Sequence, residues 1–139
     1  MRTLLIGLAL GACIGGLAAA DEAPKPPFEM TTYTLGLLVR GPKWTAEETP
    51  ELLKLQEAHL AHIDEMARSG ALLAAGPLLD GGTIRGILIF KVPVAEAKVL
   101  AENDPAVKAG RLVVELHPWL APKGVLNESL ATKPSEKKE

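Results

Sequence analysis

The chain has 139 residues and a formal net charge of −2, with 15 Lys and Arg against 17 Asp and Glu. That balance argues against a nucleic-acid partner, which normally meets a basic patch, and the length suits one domain. The single cysteine, Cys13, falls in the first twenty residues, so the remainder has no disulfide and no cysteine cluster for zinc or iron–sulfur.

Residues 1–20, "MRTLLIGLALGACIGGLAAA", carry one basic residue, a long apolar run and then Ala18, Ala19 and Ala20 before Asp21. This is the layout of a secretory signal cleaved after Ala20. Two alternatives stay open: a lipoprotein signal, with "LGAC" attaching lipid at Cys13, and a retained anchor. The anchor would be rich in Gly and Ala and near the minimum length for a span. Export to the periplasm or beyond the cell is the expectation, with no membrane span after signal removal.

Residues 21–31, "DEAPKPPFEMT", read as a proline-rich linker. "TYTLGLLV" is β-branched and apolar and predicts a strand over about Thr32–Arg40. "GPKW" turns the chain. Thr49 as N-cap, Pro50 at the first helical position and Gly70 at the stop predict a helix over Pro50–Ser69. A second strand, "ALLAAGPLL", a "DGG" hairpin turn and a third strand, "TIRGILIFKV", follow. "PVAEAKVLAEN" predicts a short helix, "DPAVKAG" a further helical turn, and "RLVVELHPW" a fourth strand. The domain spans 32–120, and residues 121–139 form a charged tail expected to be disordered beyond about Leu126.

The order β-α-β-β-α-β predicts an α+β, ferredoxin-like fold: a four-stranded antiparallel sheet with both helices on one face. Apolar residues nevertheless point to both faces. Leu35, Leu37 and Val39 alternate with Leu38, and Ile84, Leu88 and Phe90 alternate with Ile87 and Ile89. A face turned to water should alternate with polar residues, so a homodimer is expected to bury the second face.

"AHLAHI", "AGPLLD" leading into "RG", "NDPAVKAG" and "HPW", in this order and spacing, resemble the YciI-like (YCII-related) family over about Thr32–Trp119. The resemblance implies a dimeric α/β barrel and a site made by a helix histidine and the aspartate of the "DP" turn, here His59 and Asp104. Related dimeric barrels include muconolactone isomerases and dehydrochlorinase-type enzymes acting on small cyclic molecules. The export signal and charged tail depart from the family pattern.

The residues themselves bear on that pair. At about 100° per residue, Leu52, Leu55, His59, Ile63 and Met66 fall within roughly 80° of one another, so His59 takes the centre of an apolar helix stripe. One reading is a core histidine bonded to backbone. Asp104 before Pro105 suits an N-cap, a role that uses one carboxylate oxygen and leaves the other free. The first helix begins, and the second ends, at the same end of the sheet, which brings Asp104 toward His59. A carboxylate there would fix the ring's tautomer and make a general acid or base near neutral pH. His62 is expected at the stripe edge, and His117 on the sheet face with Val113 and Trp119. A metal site from His59 and His62 is weakly supported, and no metal or other cofactor is expected. Arg85 is a candidate for binding an anionic substrate group, or else a partner for Glu115.

Three functions remain in play. The first is an exported, cofactor-independent lyase or isomerase moving a proton on a small molecule through His59 and Asp104. The second is a non-catalytic module binding a small-molecule ligand in the same pocket. In the third, the protein is a dimeric interaction module.

Overall fold

The computed structural model describes residues 27–126. The expected signal at 1–20, Cys13, the first part of the 21–31 linker and the tail beyond Leu126 lie outside them. Seven elements follow in order: β1 (Met30–Arg40), α1 (Pro50–Arg68), β2 (Leu72–Pro77), β3 (Ile84–Phe90), α2 (Val94–Glu102), α3 (Pro105–Lys108) and β4 (Leu112–Pro122). The strands form one antiparallel sheet in the order β2-β3-β1-β4, so the first strand made is central and the last is an edge. This is the α+β, ferredoxin-like arrangement.

Local chemistry sets the boundaries. Thr49 caps α1 by accepting the Leu52 N–H at 3.3 Å, and Pro50 starts the helix without forfeiting a needed donor. Gly70, at φ +79°, lets the chain leave it. β2 stops at Pro77, short of the expected Leu79. The Leu78 N–H still reaches the Arg85 carbonyl at 2.9 Å, but Leu79 is 92% exposed and has no sheet face to pack on. β1 starts two residues earlier and β4 runs three residues later than expected, because Met30 and Thr31 pair with Pro122 and Ala121. Two prolines are tolerated in β4 because it is an edge strand.

The main core lies between the helices and one sheet face. Leu38, Leu72, Leu88, Phe90 and Leu112 of the sheet meet Met66 of α1, Ala97 and Ala101 of α2 and Ala106 of α3. The alanines let the helices sit close. Phe90 and Leu72 have no exposed surface, and burying each such side chain contributes about 1.5–3 kcal/mol.

On the opposite face Tyr33, Ile89 and Ala121 are buried, with Leu35, Leu73, Ala74 and Trp119 packed around them. The chain after β4 folds back onto one end of this face. Tyr33 Oη accepts the Gly124 N–H at 3.2 Å, and Leu126 packs on the cluster. His117 is exposed on this face, paired across with Leu35.

Candidate functional site

Helix α1 turns Leu55, His59, Ile63 and Met66 inward, and His59 is only 6% exposed. A buried imidazole needs partners. Its Nδ1 lies 2.6 Å from Oδ2 of Asp104, itself 2% exposed. Asp104 sits between α2 and α3, where its Oδ1 caps the short α3 by accepting the Ala106 N–H at 2.7 Å. The cap and the pair therefore coexist, one on each oxygen. Because both oxygens accept, the shared proton belongs to Nδ1. The neutral ring then carries its lone pair on Nε2, which has no hydrogen-bond partner among the described residues.

His59 lines a cleft of roughly 600 Å³. Its walls come from α1, from the loop that leaves β1 and from the β2–β3 hairpin, with the start of β4 closing one end. Tight backbone contact fixes that end. Gly41 donates its N–H to the Arg111 carbonyl at 2.8 Å, and a Cβ on Gly41 would lie 2.3 Å from the Gly110 oxygen. Gly110, at φ +75°, ends α3 in the left-handed region that glycine tolerates. The loop bearing Trp44 is thus held against the turn that follows Asp104.

Arg85 lines the cleft and does not pair with Glu115. Glu115 is exposed on the opposite sheet face, paired with Leu37. A register shift between β1 and β3 at Leu38/Val39 leaves Arg85 unpaired in the ladder, and such a bulge re-aims the side chain. Here it turns Arg85 toward the helix side, where its guanidinium carbon lies 5.8 Å from the centre of the Trp44 ring. His62 is partly buried at the stripe edge, with Nε2 2.8 Å from the Leu100 carbonyl. That contact directs it away from a shared site with His59. Among the described residues no three His, Cys, Asp or Glu side chains converge as metal ligands.

Three cleft residues escaped the sequence reading: Arg40, Trp44 and Arg111. Each flanks a turn, where a charged or aromatic residue ordinarily reads as surface. The available signal was that Arg40 ends β1 and Arg111 immediately precedes β4, adjacent antiparallel strands, so both arginines emerge at one end of the sheet beside "GPKW".

A protein with a positioned histidine and an oriented tautomer on an open, partly apolar cleft can take or give a proton on a bound small molecule. The YCII-related domain matches residues 37–120, more than half of the chain. No curated protein matches it. Among solved structures, the chain is similar to 5-chloro-2-hydroxyhydroquinone dehydrochlorinase from Burkholderia phenoliruptrix AC1100 in complex with 2,5-dihydroxybenzoquinone. The two are 23% identical, the match covers 61% of this chain and 92% of that one, and the TM-score is 0.45.

Proposed function

The chain belongs to the YCII-related family, and on that premise we propose that it is a cofactor-independent enzyme of the lyase or isomerase type. It moves a proton on a small molecule through His59 and Asp104. One observation carries the reading: the 2.6 Å contact between His59 Nδ1 and Asp104 Oδ2, with Nε2 left unpartnered on a ring that lines the cleft. Asp104 holds the ring in the tautomer whose Nε2 can accept a proton and stabilises the imidazolium that results. Leu55 and Ile63 line the cleft beside the ring and give it an apolar wall. We further propose that the chain is exported, on the strength of residues 1–20, and that it works as a homodimer joined through the apolar sheet face opposite the helices.

Proton transfer at carbon is testable before the natural substrate is known. Small keto and hydroxy acids and cyclic enols are incubated with the protein in deuterium oxide, and wash-in of solvent deuterium is followed by proton NMR. Exchange by the unaltered chain should vanish in His59→Gln and in Asp104→Asn, while far-UV circular dichroism stays unchanged. The double variant should lose little more than either single one, because groups acting as a unit are non-additive. Exchange that survives His59→Gln in a folded protein refutes the mechanism.

A further inference from the structure

One part of the cleft gathers positive charge that no carboxylate bridges among the described residues. Three guanidinium carbons surround the Trp44 ring, with Arg40 at 3.9 Å, Arg85 at 5.8 Å and Arg111 at 5.9 Å from its centre. All three side chains line the same cleft as His59. Among the described residues none of them forms an ion pair. Glu47 and Glu48 also border the cleft, but both are exposed and neither bridges to an arginine.

The arginines are nonetheless held in place. Arg40 donates Nη2 to the Gly81 carbonyl at 2.8 Å and Arg85 donates Nη1 to the Gly82 carbonyl at 3.2 Å, so the hairpin turn fixes two of the three. The Nε of Arg40 and Nη1 of Arg111 are buried with no acceptor. A buried charged donor without an acceptor is costly, and like charges gathered round one ring repel. Stacking on Trp44 offsets only part of this. An oxyanion meets both needs at once, supplying negative charge and several acceptor lone pairs to a forked donor set.

The geometry points to an anion subsite formed by Arg40, Arg85 and Arg111 about Trp44, which makes the substrate a small organic oxyanion, a carboxylate or a phosphate ester. Its charged group docks on the arginines and its body extends along the apolar wall to His59 Nε2. This rests on the cleft being the reaction site, as proposed above, and it adds the substrate class.

Calorimetric titration of the full chain with sodium benzoate, inorganic phosphate and benzamide tests it, benzamide being the uncharged shape match of benzoate. At least one anion should bind and raise the melting temperature, more weakly as salt increases, and benzamide should not. Benzoate binding without phosphate binding assigns a carboxylate, and the reverse assigns a phosphate. Arg85→Gln and Arg111→Gln should each weaken the bound anion roughly tenfold or more. Should either unfold the protein, Arg85→Lys and Arg111→Lys keep the charge, lose the fork and should show a smaller loss. His59→Gln should leave anion binding within about twofold while deuterium exchange is lost, which separates this inference from the mechanism. Failure of both anions to bind at millimolar concentration, equal binding of benzamide, or affinity unmoved by the arginine changes would overturn it.

Discussion

Asp104 performs two tasks with two oxygens, and two substitutions pull them apart. Asp104→Ala removes the α3 cap, which costs about 1 kcal/mol. It also strips a buried imidazole of its partner, which costs about 1–3 kcal/mol. The sum is about 2–4 kcal/mol, and in a domain of this size each kcal/mol lowers the melting temperature by about 4–8 °C. Asp104→Asn should behave differently. Its carbonyl oxygen can still take the Ala106 N–H, now made at 2.7 Å, which leaves the amide NH₂ facing His59 Nδ1. Two donors cannot share that contact, so the ring must move its proton to Nε2. The asparagine variant should therefore lose only about 1 kcal/mol, yet invert the tautomer and remove the lone pair from the cleft. Denaturant unfolding measures the first quantity. Nitrogen-15 chemical shifts of the His59 ring, which separate protonated from unprotonated nitrogens, measure the second. The reasoning fails if His59 keeps its proton on Nδ1 in Asp104→Asn, or if Asp104→Ala is as stable as the unaltered chain.

Gly41→Ala should destabilise the fold by about 1–3 kcal/mol through overpacking, because the new Cβ meets the Gly110 oxygen at 2.3 Å; an unchanged thermal midpoint would show that this junction yields freely. Light scattering should return twice the monomer mass, and Leu35→Glu, which puts charge in the face opposite the helices, should return a monomer. An unaltered chain that is monomeric at micromolar concentration contradicts the dimer. Material recovered outside the cytoplasm should begin at Asp21 by N-terminal sequencing, and recovery of intact Met1 in a soluble cytoplasmic protein would reject export.

The architecture was legible from the periodicity of its elements, and most sharply where the ends were marked as well. Helix α1 had an apolar stripe, the Thr49-Pro50 start and the Gly70 stop, and the structure ends it at Arg68, one residue before the expected Ser69. The pair His59–Asp104 was named from family resemblance and helix order, and the structure sets it at 2.6 Å. What stayed hidden depends on register and on contacts distant in sequence. Alternation alone cannot show the shift at Leu38/Val39 that re-aims Arg85, so pairing with Glu115 looked reasonable. Arg40 and Arg111 are 71 positions apart in the chain, and only the β1–β4 pairing brings them beside Trp44. The return of the chain over Tyr33 was equally unreadable, since Leu126 lies past the last strand signal.

The central position of β1 has a consequence for assembly. Its two neighbours, β3 and β4, are Ile84–Phe90 and Leu112–Pro122, so the first strand to leave the ribosome waits for the last before both its edges are closed. His59 likewise meets Asp104 only across 45 positions. Such long-range closure slows folding relative to local hairpins and helices, since loop entropy must be overcome before contacts form. An N-terminal fragment ending at Gly110 retains an unsatisfied backbone edge on β1 and lacks Arg111. Folding competence and the charged end of the cleft therefore arrive together, with the final strand to be synthesised.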